Sequence, residues 1–210
     1  PGIFHVRTVP DARTIREWVA GGTEFLAGMF KYSGIQYVKP TTRAVVIGGG
    51  FSGLETAENL IHLGFEVTLL QKPPQLLGPL DPEVARLVEE HMKRNGVRVD
   101  LNDGAAGFAQ LEGGAIEVKT QSGKTYPADI VILAIGVRPD TTLAEAAGLE
   151  IGERGGIRVD EQMRTSDPNI FAVGDAIEVK DVVTGEWSLM ALAGPANRQG
   201  RIAADVIVGR

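Results

Sequence analysis

A buried strand, a glycine-rich turn and a helix follow one another in this chain, and their succession restricts the fold more than any other feature. Residues 44–47 (Ala-Val-Val-Ile) are continuously apolar, which is typical of a strand covered on both faces in a parallel sheet. Gly48, Gly50 and Gly53 follow at G-x-G-x-x-G spacing, and a second apolar run occupies residues 67–70. This order predicts a βαβ unit.

The glycine spacing has a physical meaning where a helix begins. Gly48 would allow a tight turn, the missing side chain at Gly50 would let a pyrophosphate approach the backbone, and Gly53 would allow close packing of helix on strand. Unpaired N–H groups at the positive end of the helix would then hold the phosphates. Phe51 and Ser52 belong to the same turn, and we include them in the predicted dinucleotide site. The alternative is a strand-to-helix turn that binds no ligand.

The end of the second strand indicates which nucleotide is bound. In dinucleotide folds an acidic residue stands ~20 residues after the glycines and binds the ribose hydroxyls of NAD. Here Gln71 occupies that place and Lys72 follows it. Gln71 can still hydrogen-bond a ribose hydroxyl and would not repel a 2′-phosphate, which Lys72 could attract. We therefore expect NADPH to be accepted and even preferred; the alternative is that Lys72 is only a solvated surface residue.

The remaining patterns predict a mixed α/β chain. Strands are expected at residues 3–7, 97–101 and 129–134, a small antiparallel meander at 105–128, and helices from Pro10, from Asp81, over 142–147 and from near Pro195. The helix after Asp81 is expected to bury Val84, Leu87, Val88 and Met92. Gly21-Gly22 is expected to stop the first helix, and residues 23–42 show no clear pattern.

Composition argues against several classes of function. A formal net charge of -6 without a Lys/Arg-rich run argues against a nucleic-acid partner. The chain has no cysteine, and its three histidines are far apart in sequence, so no thiolate or metal-ligand pattern is present. The sequence contains neither an apolar run long enough for a membrane span nor a signal-peptide pattern. We therefore expect a cytoplasmic protein.

Several segments resemble one flavoprotein family. Residues 45–55 (Val-Val-Ile-Gly-Gly-Gly-Phe-Ser-Gly-Leu-Glu) are similar to the nicotinamide domain of the FAD-dependent pyridine nucleotide-disulfide oxidoreductases. Residues 134–139 resemble the family's A-x-G-x-x-P segment, and residues 165–175 resemble the segment that closes its FAD site. Residues 192–200 look most like the branch that contains coenzyme A-disulfide reductase, NADH oxidase and NADH peroxidase.

The resemblance implies a Rossmann-like FAD/NAD(P)-binding fold of three β/β/α layers, with a central parallel sheet and a small β-meander. It implies that Glu55 lies near the nicotinamide and the flavin, and that Gly136 lets the nicotinamide half of NAD(P)H pass close to the backbone. The alternative for Glu55 is a carboxylate favoured only by the positive end of its helix. The alternative for Gly136 is an ordinary glycine at a strand end.

For FAD, the resemblance implies a site formed by Gly174, Asp175, Ala193 and Pro195. Asp175 would accept a hydrogen bond from a ribitol hydroxyl. The helix near Pro195 would direct its positive end to the flavin edge that gains negative charge on reduction. The alternatives are a simple turn at Asp175 and a proline-started surface helix.

The resemblance also divides the chain. Residues 1–9 would end a first FAD-domain segment, 10–42 would form a helix and connector, 43–138 the NAD(P)H-binding domain, and 139–210 the second FAD-domain segment. The family's upstream FAD segment, with its redox cysteine, and its downstream dimerisation domain have no counterpart in this sequence, which starts at Pro1. We therefore expect an inactive piece of a homodimeric enzyme, with no catalytic residue or metal of its own.

The complete enzyme is expected to pass a hydride from NAD(P)H to FAD and on to a small-molecule acceptor. The acceptor would be a disulfide, coenzyme A disulfide, polysulfide, peroxide or oxygen. Two alternatives remain open: a cysteine-independent FAD reductase that feeds a ferredoxin-like protein, and a non-catalytic nucleotide-sensing module.

Overall fold

The computed structural model of the protein describes residues 2–31, 42–112 and 114–210. The chain divides into two compact units, Pro1–Gly136 and Val137–Arg210. The division lies close to the boundary predicted after residue 138. Within the described residues, no helix combines the length and the apolar character that crossing a membrane requires.

The first unit is built on a five-stranded sheet in which every pairing is parallel. Its strands are β1 (Ile3–His5), β2 (Arg43–Ile47), β3 (Glu66–Gln71), β4 (Arg98–Leu101) and β8 (Ile130–Leu133), in the order β1-β8-β2-β3-β4. From β2 the chain continues to β3 on one side, whereas β8 lies on the other. The carboxyl end of β2 is therefore a topological switch point, where open α/β sheets bind ligands.

Helices cover one face of this sheet: α1 (Val9–Lys31), α2 (Phe51–His62) and α3 (Pro82–Arg94). Val46 and Leu69 of the central strands share a buried cluster with Ala57 and Leu60 of α2 and Met92 of α3. Each fully buried side chain of the size of valine or leucine stabilises the fold by roughly 1.5–3 kcal/mol. This packing fixes the start of α2 relative to the strand before it.

A small antiparallel meander covers the opposite face, formed by β5 (Ala105–Gln110), β6 (Ile116–Thr120) and β7 (Thr125–Ala128). Val45 and Val131 pack there with Val118 and Tyr126. Successive residues of β2 thus enter different cores, which explains why the whole strand is apolar. The predicted three β/β/α layers around a parallel sheet are confirmed.

The first helix differs from its prediction. It does not stop at Gly21-Gly22 but continues to Lys31, because a glycine costs a helix only about 1 kcal/mol relative to alanine and does not end it alone. Residues 32–41, which belong to the predicted connector, lie outside the described residues.

The position of β1 also differs from the sequence-based assignment of residues 1–9 to a FAD-domain segment. The structure instead pairs β1 with β8, with Phe4 opposite Ile132, in the sheet of the first unit. The Phe4 ring also contacts the Trp18 ring of α1 edge-on, with 5.5 Å between the ring centroids. Pairing and packing therefore both join β1 to the first unit.

The second unit contains α4 (Thr142–Ala146), β9 (Ile157–Arg158), a 3-10 turn (Gly174–Ala176), β10 (Ile177–Lys180), β11 (Trp187–Leu189) and α5 (Ala193–Ile207). β10 is the central strand of a small sheet, parallel to β9 and antiparallel to β11. Ile177 of β10 packs with Met163 and with Ala203 of α5 in a buried cluster. α5 begins at Ala193, slightly before the start that the sequence indicated near Pro195.

Candidate functional site

The glycine turn lies at the carboxyl end of β2, where the chain enters α2. Gly48 has a φ of +109°, and a Cβ on this residue would lie 2.2 Å from the carbonyl oxygen of Ala134. A Cβ on Gly53 would lie 1.9 Å from the carbonyl oxygen of Gly48. In both cases the obstacle is backbone, which cannot move aside cheaply. Both positions therefore require glycine, as the spacing predicts.

Gly50 is glycine for a different reason. Among the described atoms outside its chain neighbours, none lies within 4 Å of the position that a Cβ would take. Gly50 has a φ of -83° and precedes the first residue of α2, and no side chain caps this helix start. Gly50 is exposed, as are Phe51 and Ser52. The space above the turn is therefore open.

Backbone N–H groups face this open space. The first N–H groups of a helix have no acceptor within the helix, and Leu54 donates to the Gly50 carbonyl at 3.0 Å. Phe51, Ser52 and Gly53 come before Leu54 in the helix, so their N–H groups have no acceptor within it. The helix dipole adds partial positive charge at the same place. This arrangement suits an anionic group such as a diphosphate.

Gln71, the last residue of β3, is tied to the glycine turn. Its Oε1 accepts a hydrogen bond from the Gly49 N–H at 2.8 Å, and its Nε2 donates to the Gln75 carbonyl at 3.1 Å. The amide oxygen thus helps to hold the turn, and the hydrogen bond from this amide to a ribose hydroxyl stays a prediction. Lys72, the next residue, is exposed.

The end of β8 completes this edge of the sheet. Ala134 contacts Gly48, as described above, and Gly136 follows with a φ of +96° and open space where its Cβ would lie. The Gly136 carbonyl accepts a hydrogen bond from Arg7 Nη2 at 3.4 Å. Predicted site residues from β2, β3 and β8 are therefore brought to one edge of the sheet.

Glu55 lies on the second turn of α2 and is exposed. Its side chain lines a groove of about 690 Å³ between α1 and α2, together with Ser52, Thr56 and Ile15. The groove begins beside the first turn of α2. Glu55 therefore lies next to the open helix start rather than over it.

In the second unit, Gly174 and Asp175 form the 3-10 turn. Gly174 has a φ of +82°, and its N–H donates to Oε1 of Gln199 at 2.9 Å. Gln199 is a buried residue of α5, so this bond fixes the turn against the helix. The Asp175 side chain is exposed and has no hydrogen-bond partner among the described residues. Its carboxylate is available to accept a hydrogen bond from a ligand.

The start of α5 lies beside this turn, since a Cβ on Gly174 would lie 3.9 Å from the Ala196 Cβ. Leu192 precedes the helix without a side-chain cap, and Ala196 donates to the Leu192 carbonyl at 3.1 Å. Because Pro195 has no N–H, the donors open at this end belong to Ala193 and Gly194. Both residues are exposed.

The sequence gives no signal for the roles of two glutamines. Gln71 contacts a residue 22 positions away, and Gln199 contacts one 25 positions away. Such bonds depend on tertiary structure and leave no local pattern. Within the described residues, no group of three or more His, Asp or Glu side chains is placed to hold a metal ion.

Comparison with known proteins identifies the family. The family model described as pyridine nucleotide-disulphide oxidoreductase matches residues 2–200. The chain belongs to this family. Among its members, an NADH oxidase of Methanocaldococcus jannaschii is 37% identical over 209 residues, which cover 99% of this chain and 42% of that protein. A CoA-dependent NAD(P)H sulfur oxidoreductase of Pyrococcus abyssi is 34% identical over 213 residues, which cover 100% of this chain and 43% of that protein.

A solved structure shows the same fold. The reduced CoADR-RHD of Bacillus anthracis is 44% identical to this chain, with a TM-score of 0.83, over 100% of this chain and 34% of that one. The chain thus spans less than half the length of these pyridine nucleotide-disulphide oxidoreductases. The predicted family and its Rossmann-like fold are confirmed.

Proposed function

We propose that this chain supplies the NAD(P)H-binding part and a FAD-binding segment of a flavin-dependent oxidoreductase. Because the chain spans less than half of its relatives, the activity is proposed for a longer polypeptide to which the chain contributes both parts. When both cofactors are bound, the nicotinamide supplies a hydride and the flavin accepts it. The residues of this chain bind and orient them.

The observation that carries the proposal is the open start of α2 at Gly50. Gly48 and Gly53 bring strand and helix into backbone contact, and Gly50 leaves the space above the first turn empty of side chains. The N–H groups of Phe51 and Ser52 would donate to the pyrophosphate oxygens. Fixed donors at such a site lose little entropy when the ligand binds.

The other end of the nucleotide would lie along the ends of β2 and β8. Gly136 offers an exposed backbone without a Cβ, which allows a flat ring to approach closely. Glu55 lies on the next turn of α2, and we propose that its carboxylate accepts a hydrogen bond near the nicotinamide. These residues would position the ring rather than react with it.

In the second unit, Asp175 would accept a hydrogen bond from a ribitol hydroxyl of FAD. The N–H groups of Ala193 and Gly194, with the dipole of α5, would stabilise negative charge on the flavin. Pro195 lies in the first turn of α5 and adds no donor there. The Gln199 bond to Gly174 supports this proposal because it holds Asp175 beside the same helix.

For the final acceptor, we propose a low-molecular-weight sulfur compound, such as a disulfide, coenzyme A disulfide or polysulfide. The name of the Pyrococcus abyssi relative supports this choice, while the Methanocaldococcus jannaschii relative is named for oxygen chemistry as an NADH oxidase. The rate of NAD(P)H oxidation by the longer polypeptide, measured with each acceptor, tests the choice. Faster turnover with oxygen than with every sulfur acceptor would contradict it. A homodimer in the cytoplasm remains the prediction for that polypeptide.

The nucleotide site can be tested on the 210-residue chain by titrating the fluorescence of NADH and NADPH. Gly50→Val should weaken binding of both by at least about tenfold, because the new side chain fills the space of the pyrophosphate and removes hydrogen bonds to a charged group. Gly107→Val is the matched control, since Gly107 in β5 also has open space at its Cβ. It should keep the wild-type dissociation constant within about twofold.

Two outcomes would contradict the proposal. One is that the folded wild-type chain binds neither NADH nor NADPH. The other is that Gly50→Val binds both as tightly as Gly107→Val does.

A further inference from the structure

We infer that the nucleotide site of the first unit prefers NADPH to NADH, and that Gln71 and Lys72 select for the 2′-phosphate. This inference rests on the proposed NAD(P)H site and assigns its substrate more narrowly. It follows from hydrogen bonds and charges at the ends of β3 and β4.

The Gln71 amide is a weaker acceptor for a ribose hydroxyl than a carboxylate at this position would be. A carboxylate at this position could accept the Gly49 N–H with one oxygen and a 2′-hydroxyl with the other. In Gln71, the oxygen accepts the Gly49 N–H at 2.8 Å, and the second group is an NH2 that donates to the Gln75 carbonyl at 3.1 Å. An NH2 has a second hydrogen, and a phosphate oxygen can accept it whereas a carboxylate would be repelled by the same phosphate.

Lys72 is placed beside the loop that follows β4. The Asp103 N–H donates to the Gln71 carbonyl at 3.1 Å, and the Asn102 N–H donates to the Pro73 carbonyl at 3.2 Å, so this loop is joined to the end of β3. A Cβ on Gly104 would lie 3.2 Å from the Cβ of Lys72. Glycine at this position therefore leaves room for the lysine stem next to the sheet edge.

The charge of Lys72 is not compensated locally. Among the side chains that the structure describes, none forms an ion pair with Lys72, which is exposed. The carboxylates of β4 and of the loop after it are engaged with another lysine: Lys124 Nζ lies 3.0 Å from Asp100 and 3.9 Å from Asp103. Asp103 is only 3% exposed and accepts hydrogen bonds from the N–H and the hydroxyl of Ser122. A neutral amide and an exposed lysine thus follow each other at the end of β3, where the adenine ribose would lie.

The experiment compares NADPH and NADH dissociation constants for the 210-residue chain and three variants. The wild type should bind NADPH at least about tenfold more tightly than NADH, the effect of one hydrogen bond to a charged group. Lys72→Met keeps the length of the stem and should weaken NADPH binding by about tenfold. It should leave NADH binding unchanged within about twofold. Gln71→Glu supplies a second acceptor oxygen and should make NADH the more tightly bound nucleotide.

The control is Lys93→Met. Lys93 forms an ion pair with Glu89 in the last turn of α3. This end of α3 leads to the amino end of β4, at the edge of the sheet opposite the site. This variant should leave both dissociation constants at wild-type values.

The results separate the two proposals. Failure of the folded wild type to bind either nucleotide would contradict the NAD(P)H site itself. Binding of NADH as tight as that of NADPH would leave the site standing and overturn the preference. An unchanged NADPH constant in Lys72→Met would overturn the role of Lys72.

Discussion

The Gln71 side chain accepts a hydrogen bond from the backbone N–H of Gly49 at 2.8 Å, which joins the end of β3 to the glycine turn. Gly49 is buried, and a Cβ on it would lie 2.5 Å from Leu76 Cδ2. Water therefore has little room to replace the glutamine. The shape of the turn depends on a side chain of the neighbouring strand as well as on its own glycines.

Gln71→Leu should lower the free energy of unfolding by about 1–3 kcal/mol, because the buried Gly49 N–H loses its acceptor. Thermal unfolding followed by circular dichroism measures the change. Gln110→Leu is the control: Gln110 is exposed and donates to the Gly114 carbonyl at 3.2 Å. Loss of this exposed hydrogen bond should lower the free energy of unfolding by less than about 0.5 kcal/mol. Equal stability of the two variants would show that the Gly49 bond does not hold the turn.

Gly53→Ala should destabilise the first unit by about 1–3 kcal/mol or more, since the added methyl group overlaps the Gly48 carbonyl oxygen. The matched control is Gly200→Ala in α5, where no described atom outside the local helix backbone lies within 4 Å of the new Cβ. That substitution should be neutral or stabilising by up to about 1 kcal/mol, because alanine favours the helix. Chemical denaturation of both variants checks this; a stabilised Gly53→Ala would mean that strand and helix are not in contact there.

The pKa of Asp103 is lowered, most by the hydrogen bond from the Ser122 hydroxyl; burial acts in the opposite direction, and the Ser122 N–H lowers it further. In the unfolded chain the pKa is about 3.9. Since the folded value is lower, the charged form stabilises the fold above that pH, and this stabilisation is lost as the pH falls through the folded pKa. Unfolding temperatures measured at a series of acidic pH values should therefore fall less steeply in Asp103→Asn than in the wild type.

Glu58→Gln provides the comparison for this acid series. Glu58 is exposed on α2 and has no hydrogen-bond partner among the described residues. Its variant should retain the wild-type dependence on pH. If Asp103→Asn also retained it, the Ser122 contact would contribute nothing to acid stability.

Asp175→Ala should reduce the FAD retained by a longer polypeptide that contains this chain, because a ribitol hydroxyl would lose its acceptor. We expect weaker FAD binding by about tenfold, the effect of one charged hydrogen bond. Flavin absorbance per protein after gel filtration measures it. Asp205→Ala, at an exposed position of α5, should retain FAD fully. Full retention by both variants would remove Asp175 from the proposed FAD site.

Local sequence pattern predicted the elements whose burial can be inferred from residues close together in the chain. The apolar run of β2 predicted a strand covered on both faces, and Val45 and Val46 indeed enter opposite cores. The predicted apolar face of α3 was partly wrong, because Val84 and Leu87 are 46% and 60% exposed. The helix buries Ala85, which was not predicted, and Met92, which was. The periodicity of apolar residues predicts that a helix has an apolar face, but packing against the sheet determines which residues of the helix are buried.

The candidate site likewise has a part that local sequence predicts and a part that only the folded chain forms. The glycine turn is a local motif, and its steric needs could be read from the spacing of Gly48, Gly50 and Gly53. The bonds of Gln71 to Gly49 and of Gln199 to Gly174 join segments that only the folded chain brings together. For this reason the sequence could suggest a ligand contact for Gln71 but not its bond to the Gly49 backbone.

The binding of a pyrophosphate by the N–H groups at the start of α2 can be measured most directly by amide NMR spectroscopy. On addition of NADP⁺ to the ¹⁵N-labelled chain, the largest chemical-shift changes should occur at residues 50–53, with smaller changes at residues 71–72. Saturation by NADP⁺ with these amides unchanged, and with shifts confined to other parts of the chain, would contradict pyrophosphate binding at these N–H groups.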